Sequence, residues 1–382
     1  MAIDFSPSWM NEELALYRDT VIRFIETEMA PQDEAARKQG HVGHAIWRRA
    51  GELGLLCADI PEQYGGGGGD FRHEAVFYEE MARRSLTGMN ASVHSIVAHY
   101  LLNHGTEEQK RRYLPPMARG ELVGAIAMTE PGAGSDLQGI RCTAARNGAG
   151  YLINGAKTFI TNGYLAGLVL VVARTDPAQK ARGMSIMIVE TAQRPGFRVG
   201  RLLDKIGLKA QDTTELFFDD VQVGPDAVLG GEEGRGFYQL MGDLPCERTM
   251  IGVAAVAAME GAYEATLRYV REREAFGQPL ADFQNTRFKL AEIATSVKVA
   301  RVFVDRCVGD LVAGKLDTAS ASMLKYWTSD LQNRVIDDCL QLFGGYGYMN
   351  EYLIGRMYVD ARIQRIYGGA NEIMKEVIAR AL

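Results

Sequence analysis

The sequence is poor in cysteine, has no long apolar run and carries no excess of positive charge. Its five cysteines are odd in number and scattered, with no pair at CxxC spacing. That argues against a disulfide framework or a zinc site and leaves buried apolar thiols as the default. No stretch is long and apolar enough to span a bilayer, and Met1 to Trp9 lacks a basic region followed by an apolar run. A cytoplasmic protein is the simplest expectation, with a mature organellar matrix form left open. The net charge of -6 gives no bulk attraction for nucleic acid, which usually meets a basic face. A local basic patch for a phosphorylated ligand remains compatible with it. No GxGxxG follows a strand and opens a helix. Gly344-Gly345-Tyr346-Gly347 follows a helical run instead, so a nicotinamide-type Rossmann reading fails on context.

What is present is an ordinary globular composition, 47% hydrophobic and 24% charged over 382 residues, enough for two or three domains. Three textures divide the chain at 1–121, 122–236 and 237–382. The first reads as helices: Trp9 to Ala30 stopping at Pro31, then His44 to Leu56, then Phe71 to His104. Between the last two, five consecutive glycines, Gly65 to Gly69, require a loop. A surface loop is favoured over a phosphate cradle. The second texture is short β-branched or aromatic segments between turn residues: Tyr151 to Gly155, Leu168 to Ala173, Met184 to Val189 and Glu215 to Phe218. Such spacing suggests a small sandwich or barrel. The third is long helices with short links: Glu247 to Glu274, Asp282 to Gly314 and Asp317 to Phe343, as in an antiparallel bundle. The predicted class is α+β, mainly α, and the α–β–α order argues against a doubly wound fold.

Two stretches invite chemistry. Ala127 to Asp136 is rich in glycine and small side chains that allow close backbone approach, and its hydroxyls and amides suit an anionic or carbonyl-rich ligand; the same composition equally suits a tight turn. Thr158-Phe159-Ile160-Thr161-Asn162 sets an aromatic two residues before a hydroxyl, fit to stack on a ring and address one of its nitrogens, or simply to end a strand.

Ala125 to Ile140, Lys157 to Gly163, Arg273-Glu-Ala-Phe-Gly277 with Gln284, Gln341-Leu-Phe-Gly-Gly345 and Tyr367-Gly-Gly-Ala-Asn-Glu-Ile together resemble the acyl-CoA dehydrogenase family, in order and over nearly the whole chain. Ile206-Gly-Leu-Lys-Ala-Gln-Asp-Thr and Asn371-Glu-Ile-Met-Lys-Glu are most similar to the long-chain branch. The resemblance implies FAD, an N-terminal helical domain, a middle β-barrel-like domain, a C-terminal four-helix bundle and a homotetramer. It implies that Met128, Thr129, Gly134, Ser135, Phe159, Ile160 and Thr161 line the flavin. Arg273, Phe276, Gln284, Gln341, Gly344 and Gly345 would complete the FAD site of a neighbouring subunit, with Ala370, Asn371 and Glu372 also at the cofactor. Ser135, Tyr238, Arg248, Gly368 and Gly369 would meet the acyl-CoA substrate. Electron-transferring flavoprotein is the implied electron acceptor. No metal is implied.

The α-proton beside a thioester is a weak acid, so its removal needs a placed base and an oxyanion stabiliser. Most of the family carries that base as a glutamate where this chain has Gly368. The long-chain and isovaleryl branches place it at the start of the first bundle helix, matching Glu247 in Leu244-Pro-Cys-Glu-Arg248. Pro245 predicts a helix start that puts Glu247 in the first turn, where the dipole favours the ionised form by about 0.3–1 kcal/mol and burial opposes it. The expected reaction is α,β-dehydrogenation of a fatty acyl-CoA to the trans-2-enoyl-CoA. An acyl-CoA oxidase, a catalytically silent protein on the same fold and a flavin monooxygenase of related fold are the alternatives. Met89-Asn90, where long-chain members carry Pro-Gly, leaves acyl length and branching open.

Overall fold

The computed structural model describes residues 4–382. Its N-terminal part is helical: α1 (Glu12–Phe24), α2 (Asp33–Gln39), α3 (His44–Glu52), α4 (Phe71–Arg83), α5 (Ala91–His104) and α6 (Glu107–Ala118). Asn11 opens α1 by accepting the Leu14 N–H at 2.8 Å, ahead of Glu12 and Glu13 in the first turn, both favourable at a helix N-terminus. The expected stop at Pro31 is not observed. A π-turn (Ile25–Met29) and a 3-10 turn (Ala30–Gln32) carry the chain past it into α2. Pro31 sits early in that 3-10 turn, where a missing N–H costs nothing. Gly65 to Gly69 form a loop, folded back so tightly that a Cβ on Gly66 would strike the Ile60 carbonyl at 2.2 Å.

A curled sheet follows, built from β1 (Gly124–Ala127), β2 (Thr143–Asn147), β3 (Gly150–Thr161), β4 (Leu168–Arg174), β5 (Met184–Glu190), β6 (Phe197–Leu202) and β7 (Thr213–Val223). The strand order is β1-β4-β2-β3-β7-β6, with β5 paired to β4; the sheet curls without closing. Leu168, Leu170 and Val172 face α5 and α6 across Val97, Leu101, Leu114 and Met117. Val169, Val171 and Ala173 face Leu216, Phe218 and Val221 inside the curl. Both faces of β4 are therefore buried, which accounts for its unbroken apolar run.

The C-terminal part is helical again: α7 (Gly236–Glu272), a two-strand hairpin of β8 (Glu274–Ala275) and β9 (Gln278–Pro279), then α8 (Gln284–Val312), α9 (Thr318–Phe343), α10 (Leu353–Ala361) and α11 (Asn371–Ala379). α7 packs on α9, α8 and α4, tying the N-terminal helices to the bundle. It begins well before the residue predicted to open it. Pro245 lies in its interior, and Thr249 Oγ1 donates to the Pro245 carbonyl at 2.8 Å. Glu247 is thus a mid-helix residue, so the first-turn dipole argument does not apply to it.

Candidate active site

Glu247 points from α7 towards α5. Its side chain is buried, and the Tyr100 hydroxyl donates to Glu247 Oε1 at 3.0 Å. Burial pushes the carboxyl up to about 7; Tyr100 pulls it back, Asp243 raises it, and Arg248 and His99 lower it. The cause of the shift is desolvation, with no help or hindrance from a helix terminus. Asp243, one turn earlier, accepts from Asn103 Nδ2 and is paired with His104 Nε2, both at 2.6 Å. His99 lies 2.7 Å from Asp59 Oδ2 through Nε2, and its Nδ1 is 3.8 Å from the Cys246 thiol. Burial disfavours a charge on His99, yet Asp59 holds it protonated well above the usual range. The site thus contains one carboxyl poised near neutrality among groups whose charges are already committed.

Arg248 is buried on the other side of α7. Its Nη1 donates to Ser322 Oγ at 3.0 Å, and its Nε has no partner. Lys325 on α9 is fully buried and donates to the Gly369 carbonyl at 2.6 Å and to Asn371 Oδ1 at 2.9 Å. Burial, reinforced by the Arg248 charge, lowers it to about 8. The Gly368-Gly369 turn is therefore anchored from below, with both glycines in the left-handed region at φ 61° and 88°. A Cβ on Gly368 would lie 2.4 Å from Ile251 Cδ1. Ile251 is one helical turn beyond Glu247, so Gly368 lies against the same face of α7 that carries the carboxyl.

A second group gathers at the end of β3. Glu130 and Ala133 exchange backbone hydrogen bonds of 2.9 and 3.1 Å, so the 128–135 segment does contain a tight turn. Lys157, fully buried, fastens it by donating to Met128 O, Glu130 Oε1 and Val172 O at 3.0, 2.8 and 2.7 Å. Glu130 also accepts the N–H groups of Arg141 and Cys142. Thr158 N–H donates to Thr129 O at 3.0 Å, joining the turn to β3. A register shift between Lys157 and Ile160 throws Phe159 outward: its φ is 60° and its ring is 67% exposed. Ile160 turns inward and is buried, so only its backbone faces the group. Nothing lies within 4 Å of a Cβ built on Gly134, and Ser135 beside it is exposed.

A third group forms at the far end of the bundle. Phe276 and Gly277, at φ 51° and 80°, make the two-residue turn of the β8–β9 hairpin, leaving the Phe276 ring 98% exposed. Arg273, the residue after α7, holds its guanidinium 5.6 Å from the Tyr346 ring centroid and makes no ion pair among the described residues. Gln284 opens α8, and Gln341, Gly344 and Gly345 lie at the end of α9 beside Tyr346, all exposed. Tyr238 stands half-exposed in the first turn of α7, with Arg235 5.8 Å over its ring. Ala370 caps α11 and Glu372 is exposed in its first turn. Asn371 begins α11. Its amide donates to Tyr326 O, Ser329 Oγ and Asp330 Oδ1 and accepts from Lys325, so its side chain is committed to joining α11 to α9.

Sequence reading missed Tyr100, Lys325, Ile251, Lys157 and Glu130. The buried pair Lys157–Glu130 had a signal, since both belong to stretches already singled out. The others are distant in sequence from what they touch.

An α–β–α chain with a buried carboxyl near neutrality beside a glycine turn is compatible with many enzymes, and the matching family models and relatives narrow it to the oxidoreductases acting on acyl-CoA. The chain belongs to the acyl-CoA dehydrogenase family: its N-terminal, middle and C-terminal domain models match residues 11–121, 125–221 and 234–382. It is 50% identical over 375 residues to the mitochondrial long-chain specific acyl-CoA dehydrogenase of Rattus norvegicus, covering 97% of this chain and 87% of that one. The acyl-CoA dehydrogenase of Geobacillus kaustophilus superposes with a TM-score of 0.94 at 44% identity, over 98% of this chain and 99% of that one. An acyl-CoA dehydrogenase of Bacillus anthracis solved in complex with FAD superposes with a TM-score of 0.91 at 32% identity, over 100% of this chain and 69% of that one. No helix among the described residues is long and apolar enough to cross a membrane.

Proposed function

We propose that this chain is an FAD-dependent dehydrogenase that converts a fatty acyl-CoA thioester to its trans-2-enoyl-CoA, with Glu247 as the α-proton base. The observation that carries this reading is the buried Glu247 carboxyl, held by Tyr100 and lying one turn from the Ile251 side chain that touches Gly368. A carboxylate that titrates near neutrality is matched to proton abstraction at ordinary pH.

The residues at the end of β3 fit a flavin. Phe159 is a bulky side chain kept in a strained left-handed conformation and turned outward, which in a ring-binding site has a purpose. Beside it stand the Thr161 hydroxyl and the open glycine turn of 128–135. When bound, the flavin supplies the hydride acceptor for the β-hydrogen. Glu247 accepts the α-proton on its carboxylate, oriented by the Tyr100 hydroxyl. The N–H groups of the Gly368-Gly369 turn stabilise the thioester oxygen, and Lys325 keeps that turn in place through the Gly369 carbonyl. Ser135 and Tyr238 contact the CoA moiety, and Arg248 provides a positive field behind the base. Arg273, Phe276, Gln284, Gln341, Gly344 and Gly345 reach the FAD of a neighbouring subunit in a homotetramer. Electron-transferring flavoprotein is the acceptor. The three functional regions follow the 1–121, 122–236 and 237–382 division, and a cytoplasmic or organellar-matrix location suits the substrate.

Anaerobic flavin bleaching with a series of straight and branched acyl-CoAs tests the activity and reads the chain-length preference. Rapid bleaching by at least one acyl-CoA, with slow reoxidation when air is admitted, is expected. Rapid reoxidation with peroxide release would make the protein an oxidase, and a colourless preparation that takes up no FAD would reject the enzyme.

A further inference from the structure

We infer that Gln211 is a positioning residue that fixes the direction in which the Thr161 hydroxyl donates, through a hydrogen-bond relay that begins at the backbone of α5. This inference rests on the proposed reading that Thr161 faces the flavin, and it deepens that reading.

The relay has only one consistent polarity. Its first link is the Val93 N–H, which can only donate and does so to Asn90 Oδ1 at 3.0 Å. Ser92 Oγ donates to the same oxygen at 2.8 Å. The oxygen of the Asn90 amide is thereby identified, and its nitrogen must face the other way. Asn90 Nδ2 donates to Gln211 Oε1 at 2.7 Å, which settles the orientation of the second amide. Gln211 Nε2 then donates to Thr161 Oγ1 at 3.2 Å. A hydroxyl that receives a hydrogen bond from this side keeps its own proton for another direction. No other partner of Thr161 Oγ1 is recorded among the described residues, so that proton remains available to a ligand.

Gln211 is held so that it cannot relax out of this role. Its side chain is 4% exposed, its N–H donates to Leu208 O at 3.1 Å, and its carbonyl accepts from Lys205 Nζ at 2.8 Å. A preoriented donor loses no rotor freedom on meeting a ring nitrogen, which makes the contact stronger than one from a freely turning hydroxyl.

Asn90→Asp is the discriminating variant, because position 90 does not touch Thr161. An aspartate still accepts from Val93 and caps α5 equally well, but it cannot donate to Gln211. The Gln211 amide must turn over, its oxygen then faces Thr161, and the hydroxyl proton is drawn away from the ligand. FAD titrated into apoprotein should bind about fivefold more weakly, and the visible band of bound FAD should shift as it does in Thr161→Val. In the double variant Asn90→Asp/Thr161→Val the aspartate should add nothing further. Gln211→Met, which removes the amide without adding charge, should fall between wild type and Thr161→Val, with a melting temperature showing that each protein is folded. If Thr161→Val binds FAD less well while Asn90→Asp and Gln211→Met match wild type, the relay is wrong and the flavin reading stands. An Asn90→Asp effect that persists undiminished on the Thr161→Val background would show a through-space charge and equally overturn the relay. Wild-type affinity and spectrum in Thr161→Val itself would instead remove Thr161 from the flavin, and the relay with it.

Discussion

Because burial raises the Glu247 carboxyl to about 7, its charge changes inside the ordinary working range of pH. Proton abstraction needs the ionised form, so flavin reduction should rise as pH increases through about 7 and then level off. Glu247→Gln keeps the shape and removes the proposed base. Stopped-flow bleaching should fall by at least about a hundredfold, with FAD and acyl-CoA binding retained; a wild-type rate would discard Glu247 as the base. The same substitution changes stability with a definite sign. A carboxyl whose folded pKa lies above its unfolded value is tolerated when protonated at low pH and loses that advantage as pH rises through the folded pKa. Glu247→Gln should therefore gain up to about 3 kcal/mol relative to wild type at pH 8 and much less near pH 4, read by denaturant unfolding. Transplanting the base to Gly368 meets two obstacles, a φ of 61° and Ile251 Cδ1 in the path of a Cβ. In the Glu247→Gln background, Gly368→Glu should restore only partial bleaching, biased to short acyl chains, and adding Ile251→Val should improve it. No gain from the added Ile251→Val change would mean that backbone strain, not crowding, limits the transplant.

Between elements, the strongest polar link is a buried ionic cluster. Arg301 on α8 is 1% exposed and pairs with Glu79 of α4, Glu260 of α7 at 2.8 Å and Asp305 at 3.4 Å. Arg83 of α4 joins through Glu260. Removing the cation leaves Glu79 buried without an ion-pair partner and Glu260 with Arg83 alone, which is more damaging than the pair was stabilising. Arg301→Leu should cost about 3–5 kcal/mol, seen as a lower denaturant midpoint; Arg301→Leu with Glu79→Leu and Glu260→Leu should recover part of it. A single variant as stable as wild type would show that the cluster does not join α4 to the bundle. The helices holding these groups were legible from periodicity, because apolar spacing is a local property. Their ends were less so. Pro31 and Pro245 were read as boundaries, yet the chain remains helical across both. Pro31 lies early in a 3-10 turn where no N–H is needed, and at Pro245 the penalty of about 3 kcal/mol is local, so packing of a long helix over many residues outweighs it.

At the scale of the whole molecule, large apolar side chains stand in water on the C-terminal part: Phe276 is 98% exposed and Tyr348 84%. Arg273, over the Tyr346 ring, has no carboxylate partner among the described residues. The cofactor site shared between subunits that is proposed above would account for both. Light scattering should show a homotetramer, or at least a dimer, in the FAD-loaded protein. Arg273→Ala should weaken FAD retention by roughly 1.5–3 kcal/mol, the scale of a lost hydrogen bond to a charged group. A fully FAD-loaded monomer, or unchanged retention in the variant, would return Arg273 to an ordinary surface charge.

The order of helical, strand-rich and helical regions was determined by composition and periodicity alone. The choice of Glu247 rested on the resemblance to the acyl-CoA dehydrogenase family, which sets a glycine at 368 against a glutamate at 247 without coordinates. The outward turn of Phe159 was not legible, because a register shift between β3 and β7 depends on the partner strand. Nor was the environment that raises Glu247. Tyr100 is 147 positions away in sequence, and no local pattern marks a tyrosine whose hydroxyl will meet a carboxyl. Sequence names the group that can take a proton. Only the packing of α5 against α7 removes the water from around it, and the loss of that water sets the pH at which it does so.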